Sequence, residues 1–209
     1  MAKKEFNFED EKVRIGARKL LILVAQLFDD ANINYSLEGG TLLGIVRDGQ
    51  LLPWDHDLDI SVNQAETEKI LRLKWKLLKE GLKLSIRRNQ AKDNLIPYGS
   101  VYLIKIKPLK KIIINALKGH KTPHFVVCDV FIKFPDANYY YWQAKDNIMR
   151  IERKYHDSSQ IIPYHNTSLK VPNCYIDYLT EKYGDWSTPV KEWDCGKDEK
   201  TIWRAANQH

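Results

Sequence analysis

The sequence predicts an α/β fold of the mixed, α+β kind, with helices flanking one sheet. Three observations predict it. Residues 8–31 repeat Val13, Ala17, Leu20, Leu21, Val24, Leu27 and Phe28 at the spacing of an amphipathic helix. Residues 82–88, 101–107 and 125–134 carry the alternating or continuous apolar pattern of strands. Helical and strand-like segments are interspersed without strict alternation, which favours a mixed sheet over a regular parallel one. At 209 residues the chain suits one domain with a full core, and no internal repeat or low-complexity linker divides it.

In chain order, Asn32 and Asn34 end the first helix and residues 35–38 read as a first strand. Gly39-Gly40 turns the chain, Thr41 is placed to cap a short helix over 42–47, and Asp48-Gly49 closes it. Pro53 keeps its surroundings extended. Residues 57–62 alternate carboxylates with Leu58, Ile60 and Val62 as a half-buried strand does. One helix is expected over 64–80, stopped by Gly81. A loop over 91–97 and a basic segment over 108–121 separate the next strands, and residues 139–142 are able to pair with 125–134. Residues 146–155 have weak helical character, and short extended pieces surround Pro163. A helix is expected over 175–183 with Asn173 as cap. The tail after Gly184, rich in tryptophan and charge, yields no predicted element.

Composition is 44% hydrophobic and 29% charged, which excludes disordered and fibrous classes. The longest apolar candidate span, residues 20–28, is about half the ~20 residues a membrane helix needs. The start, MAKKEFNFEDEKVR, lacks the apolar core of a secretory signal, so a cytoplasmic location is expected. Cys128, Cys174 and Cys195 are dispersed and without metal-ligand spacing, which reads as free thiols. The formal charge of +6 admits nucleic acid, an anionic membrane or an anionic substrate. Basic residues are scattered apart from Arg87-Arg88 and residues 105–111, and no nucleic-acid module is present. A phosphorylated small molecule or acidic glycan is therefore the expected partner, no nucleic acid is expected, and peripheral contact with an anionic membrane stays open.

The chemistry concentrates in residues 37–62, LEGGTLLGIVRDGQLLPWDHDLDISV. Asp57 and Asp59, two apart, point to one face of a strand. Carboxylates forced together repel unless a cation lies between them, and hard oxygen ligands suit Mg²⁺ or Mn²⁺. Asp129, within the apolar run FVVCDVFIKF, is the candidate third carboxylate, either as ligand or as general base. A partner role toward a buried Arg is its alternative. Asp55 is a further candidate ligand, or orients an acceptor, or caps a turn. Gly39, Gly40 and Thr41 offer backbone amides and a hydroxyl to phosphate oxygens at a helix N-terminus. Arg47 either forks a phosphate or pairs with Glu38 or Asp48. Lys105 faces the site or solvent. Trp54 stacks on a base or sugar or packs in the core. His56 reads as structural, on the face opposite Asp57.

Gly-Gly-Thr, the aspartate strand and a distant strand Asp together resemble the minimal nucleotidyltransferase fold. GGTLLGIVRDGQLLPWDHDLDI is similar to the signature of the LicD/fukutin-related family, in which G-T-L-L-G-x-x-R leads to P-W-D-x-D-x-D. VCDVF resembles that family's later strand, and the stretch from Tyr178-Leu179 through Tyr183-Gly184-Asp185-Trp186 to Pro189 resembles its Y-L-x-x-x-Y-G-D-W-x-x-P ending. The match implies a single domain over residues 1–209 with its core at about 33–190. His56 interrupts what is often a run of three aspartates in bacterial members, residues 107–124 match nothing in the pattern, and the cysteines do not reproduce the zinc spacing of some animal relatives.

The resemblance implies a phosphotransferase that moves phosphocholine, ribitol phosphate or a similar phospho-alcohol from a CDP-linked donor, releasing CMP. The acceptor is a sugar hydroxyl of a cell-surface glycan or its lipid-linked precursor. Asp57, Asp59 and Asp129 would be the catalytic and metal-binding residues, and Gly39, Gly40, Thr41, Arg47, Trp54 and Lys105 would hold the donor. Tyr183, Gly184 and Asp185 bind the acceptor or merely close a helix. Nucleotidyl transfer from a nucleoside triphosphate to a small molecule or protein stays open, because both reactions use the same metal cluster. An inactive nucleotide- or glycan-binding module is the third reading, against which the intact aspartates argue.

Overall fold

The computed structural model describes residues 6–92, 94–119 and 124–206; residues 1–5 and the end of the basic segment at 120–123 lie outside the described residues. Helix α1 spans Glu11–Asp30, starting three residues later than expected because the Asp10 carboxylate accepts from the Lys12 N–H and caps it. It is followed by β1 (Tyr35–Leu37), α2 (Gly39–Asp48) and β2 (Leu58–Asn63). Helix α2 begins at Gly39, with Glu38 rather than Thr41 in the capping position.

The expected helix over 64–80 is broken. Asn63 caps a 3-10 turn at Gln64–Glu66, then come α3 (Thr67–Arg72) and α4 (Lys74–Lys79), hinged at Leu73. Each short helix buries one residue, Ile70 or Leu77. That is too little apolar surface to hold one long lysine-rich helix straight.

Strands β3 (Leu82–Arg88) and β4 (Val101–Pro108) precede α5 (Leu109–Leu117), a helix inside the segment left without an element. Strands β5 (Cys128–Pro135), β6 (Tyr139–Ala144) and β7 (Asn147–Glu152) follow. Residues 147–152 are thus a strand, not weak helix, paired to β6 through a turn at Lys145. Lys145 takes φ of 51°, the left-handed region a glycine would have announced. The chain ends with the hairpin β8 (Ser159–Tyr164) and β9 (Thr167–Pro172), α6 (Tyr175–Tyr183) and β10 (Ile202–Ala205). Asn173 does not cap α6; its amide donates to the Lys154 carbonyl, and Cys174 takes the capping position without a side-chain bond.

The main sheet runs β1-β2-β5-β6-β7-β10, with β4 also on β5 and β3 beyond it. Only β2 and β5 pair in parallel; the other pairs are antiparallel. This is the mixed sheet with helices that the sequence predicts. Alternation gives its centre two unlike faces. Leu58, Ile60, Cys128, Val130, Ile104 and Ile106 form a buried apolar face that shares one core with Leu21, Val24 and Phe28 of α1. The opposite face carries Asp59, Asp129 and Lys105. Among the described residues no helix is long and apolar enough to cross a membrane, and the three cysteines are free.

Candidate active site

Register places four charged residues side by side. Asp59 and Asp129 are direct partners in the parallel β2–β5 pair, and Lys105 is the partner of Asp129 on β4. Glu38 follows β1, and its N–H donates to the Asp59 carbonyl at 3.0 Å. The result is a row, Glu38–Asp59–Asp129–Lys105, across the polar face. Lys105 Nζ lies 2.5 Å from Asp129 Oδ2, so Lys105 faces the site. Asp129 pairs with this lysine, not with an arginine, and its Oδ1 is buried with no hydrogen-bond partner among the described residues.

Asp57 precedes β2 instead of lying within it, because the strand starts where the Leu58 N–H reaches the Val127 carbonyl at 2.9 Å. Asp55, His56 and Asp57 each offer a ligand atom within 4.8 Å of the others. His56, 67% exposed in its side chain, stands at this cluster and not on the far face of a strand. The buried Phe8 secures the loop from outside through its N–H to the Asp55 carbonyl at 2.8 Å.

Gly39 and Gly40 open α2 directly against these acids. A Cβ at Gly39 would fall 2.5 Å from Asp59 Oδ2, and one at Gly40 closer still to Asp55 Oδ2. A side chain there would displace the carboxylates, so the helix N-terminus with its positive field abuts them, its first N–H, that of Gly39, donating to Glu38 Oε1 at 3.2 Å. The Thr41 hydroxyl is buried and accepts the Asp59 N–H at 2.9 Å, tying α2 to β2. Arg47 lines the cavity, but its fork is engaged by Asp48 at 2.8 and 2.9 Å. Trp54 is half-buried on the cavity wall, with Arg47 and Lys191 each 5.9 Å from its ring centre.

The row opens into a cavity of about 550 Å³. One wall is Gly39, Gly40 and Trp54; the other comes from Tyr183, Asp185 and the tail at Trp186 and Trp193. The tail, for which the sequence predicts no element, therefore forms part of the wall of the site together with the end of α6.

Electrostatics divide the row. Burial and then the Asp57 charge raise Asp55 to about 7. Asp59 is pushed well above the ordinary carboxylate range by burial, then by Asp57, Asp55, Asp129 and Glu38. Asp129 is also raised, burial outweighing Lys105. Glu38 behaves oppositely: burial pushes it up, but Lys133 at 2.6 Å and Lys182 at 3.0 Å hold it well below that range. The Tyr178 hydroxyl donates to it at 2.5 Å, Lys182 also pairs with the buried Glu199 at 2.7 Å, and Lys133 lies 4.1 Å from the Trp142 ring centre. Sequence reasoning missed this cluster. Lys133 carried a signal, standing four residues beyond Asp129 on the same strand face; Glu199 carried none.

A divalent ion fits the acids on three grounds. Asp55 and Asp57 bring carboxylate oxygens within 4.8 Å of one another while Asp59 feels the charges of Asp57, Asp55 and Asp129, Asp129 keeps a buried oxygen unpartnered among the described residues, and glycines bring the backbone against the carboxylates.

Residues 32–174 match the family described as LicD/FKTN/FKRP, nucleotidyltransferase domain. The chain is 33% identical over 100 residues to the lipopolysaccharide cholinephosphotransferase LicD of Haemophilus influenzae, covering 48% of this chain and 35% of that protein. It is 44% identical over 39 residues to the ribitol 5-phosphate transferase FKRP of Homo sapiens, covering 19% of this chain and 8% of that protein. It is 27% identical over 176 residues to an uncharacterized protein of Rickettsia prowazekii, covering 78% of this chain and 65% of that one. The matches thus span 35% and 8% of the two named transferases.

Proposed function

The chain belongs to the LicD/FKTN/FKRP nucleotidyltransferase-domain family, and from that premise we propose that it is a metal-dependent phosphotransferase. It moves a phospho-alcohol, such as phosphocholine or ribitol 5-phosphate, from a CDP-linked donor to a sugar hydroxyl of a cell-surface glycan or its lipid-linked precursor. The observation that carries this reading is the row of acids set against the N-terminus of α2 at the floor of the cavity.

In this reading the acceptor oxygen attacks the phosphorus that bears the alcohol, the bond from that phosphorus to the CMP oxygen breaks, and CMP leaves. Asp57 and Asp59 hold Mg²⁺ or Mn²⁺, with Asp55 beside them. When bound, the ion supplies charge neutralisation at the donor's diphosphate oxygens. Asp129 Oδ1 serves either the ion or the proton released by the acceptor hydroxyl, while Lys105 fixes the other oxygen. The Gly40 N–H is offered to the diphosphate, the Gly39 N–H being held by the Glu38 carboxylate at 3.2 Å, and Trp54 offers its ring to the base or sugar. Arg47 reaches phosphate only by leaving Asp48.

The test is incubation of the purified protein with CDP-choline, CDP-ribitol, CDP-glycerol, ATP or CTP, with Mg²⁺ or Mn²⁺, following CMP and pyrophosphate. CMP released from one CDP-alcohol is the expected product. Pyrophosphate from a triphosphate, with no CMP from any CDP-alcohol, would overturn the reading in favour of nucleotidyl transfer.

A further inference from the structure

Helix α5 takes no part in the site and buries none of its residues fully. Leu109, Ile112 and Asn115 are half-buried, three residues apart on one stripe. Ile113 and Leu117 are 53% and 83% exposed, and Ile114 is exposed too. At 3.6 residues per turn these three share the outward face with Lys110, while Lys111 and Lys118 flank it. Among the described residues none of these lysines makes an ion pair.

The surroundings extend the pattern. The Leu109 N–H donates to the Gly81 carbonyl at 2.8 Å, which sets the start of α5 beside the end of α4. There Trp75 and Leu78 are exposed among Lys74, Lys76 and Lys79. Lys83 and Lys107 are direct cross-strand partners, an unfavourable juxtaposition of like charges. Residues 67–118 hold 14 Lys and Arg against 3 Asp and Glu, a net +11, while the whole chain carries +6, so the remainder is −5. The basic excess of the protein lies within this stretch of sequence, with Arg87 and Lys105 on the cavity wall and the lysines of α4 and α5 on the flank.

We propose that the α4–α5 flank docks on an anionic lipid membrane, with α5 lying in the interface. An apolar face bordered by lysines, their stems lying along it and their charges at headgroup level, suits that position. Anionic headgroups complement the net positive charge of this stretch, of which Lys69, Lys76 and Lys105 are paired with acids outside it, Glu66, Asp30 and Asp129. Nucleic acid would use the cations but leave Ile113, Ile114 and Leu117 in water. A second copy of the chain would set lysines against lysines. Lys105 precedes Leu109 by four residues, about 13 Å along β4, so docking holds the acidic site near the headgroup layer. A lipid-linked acceptor would meet it there; this consequence rests on the proposed function, whereas docking itself does not.

The test is co-sedimentation of the full-length protein with phosphatidylglycerol–phosphatidylcholine vesicles and with phosphatidylcholine alone, at low and high salt. Binding is expected only to the anionic vesicles and weakens in salt. Ile113→Ser/Leu117→Ser should weaken it about tenfold or more, and Lys110→Glu/Lys111→Glu by at least about tenfold. Leu117→Ser alone, at the most exposed position, gives a variant matched to the parent in thermal unfolding. No sedimentation with anionic vesicles, or equal binding by parent and matched variants, overturns the proposal. So does binding of duplex DNA, or dimerisation lost in Leu117→Ser, without vesicle binding. CMP release from a CDP-alcohol in solution, measured on the same variants, should stay at the parent level. Its absence in the parent would sink the proposed function and leave docking standing.

Discussion

Glu38 and Asp59 are neighbours in one row of the sheet, yet their surroundings are opposite. Glu38 is buried between two lysines and a tyrosine hydroxyl, all supplied by the protein. Asp59 feels four other carboxylates, Asp57, Asp55, Asp129 and Glu38, beside a helix N-terminus, and has no ion pair of its own among the described residues, the nearest lysine of the row, Lys105, being paired with Asp129. A buried carboxylate with its counter-charges built in is a fixed structural part. One raised by its own kind holds a place for a cation from outside. The contrast separates the scaffold from the chemistry more sharply than burial does.

The largest effect should come from the open side. Asp59→Asn or Asp57→Asn should lower CMP release by at least about 10³-fold, since the charge that holds the ion is lost. The fold should be as stable as the parent or more so in metal-free urea unfolding, because repulsion is relieved. Activity retained in both variants would remove the ligand assignment.

Glu38→Gln should do the reverse first. Removing one member of a buried charge cluster leaves Lys133 without a carboxylate and Lys182 with Glu199 as its one remaining acid among the described residues, and should cost about 3–5 kcal/mol. Urea unfolding of this variant beside Asp59→Asn sets the comparison directly. Equal destabilisation of the two would show that the row is structurally uniform and end the division drawn here.

The pH dependence follows from the raised acids. Asp55 has an ordinary value of 3.8 and a folded value of about 7, so the folded state binds a proton that the unfolded state has released. Its stabilising contribution is full below about 4 and is lost as pH rises to about 7. Burial lowers His156, which makes the opposite contribution as pH passes its ordinary value. The difference between parent and Asp55→Asn isolates the acid. In EDTA, the melting temperature of the parent should fall relative to the variant between about pH 4 and 7, and Mn²⁺ should restore more of it at the upper end. A difference that stays flat across that range would contradict the raised value.

Much of this was legible in the sequence for a physical reason. Asp59, Asp129 and Lys105 each sit in a strand whose alternate residues are apolar, so period two alone assigns them to the face away from the core. The strand–strand register that aligns them is a tertiary fact. The compensation of Glu38 was not legible, because Lys182 and Glu199 arrive from α6 and from a tail with no periodicity. His56 was expected on the strand face opposite Asp57 by extending alternation past the point where the strand begins, at Leu58. The strand at 147–152 was hidden by a left-handed turn made with Lys145 instead of glycine.

The smallest effect distinguishes two roles for Thr41. From the sequence its hydroxyl is offered to the donor's phosphates; in the structure it is buried and accepts the Asp59 N–H. Thr41→Val keeps the shape but leaves that N–H unsatisfied, which should cost about 1–3 kcal/mol of stability. Thr41→Ser, which keeps the acceptor, should recover most of it. If the hydroxyl only positions Asp59, the valine variant lowers kcat and metal affinity together and leaves the KM for the CDP-alcohol near the parent value. A rise in KM with unchanged metal affinity would return Thr41 to the donor, and would place the boundary between scaffold and site one residue deeper into α2.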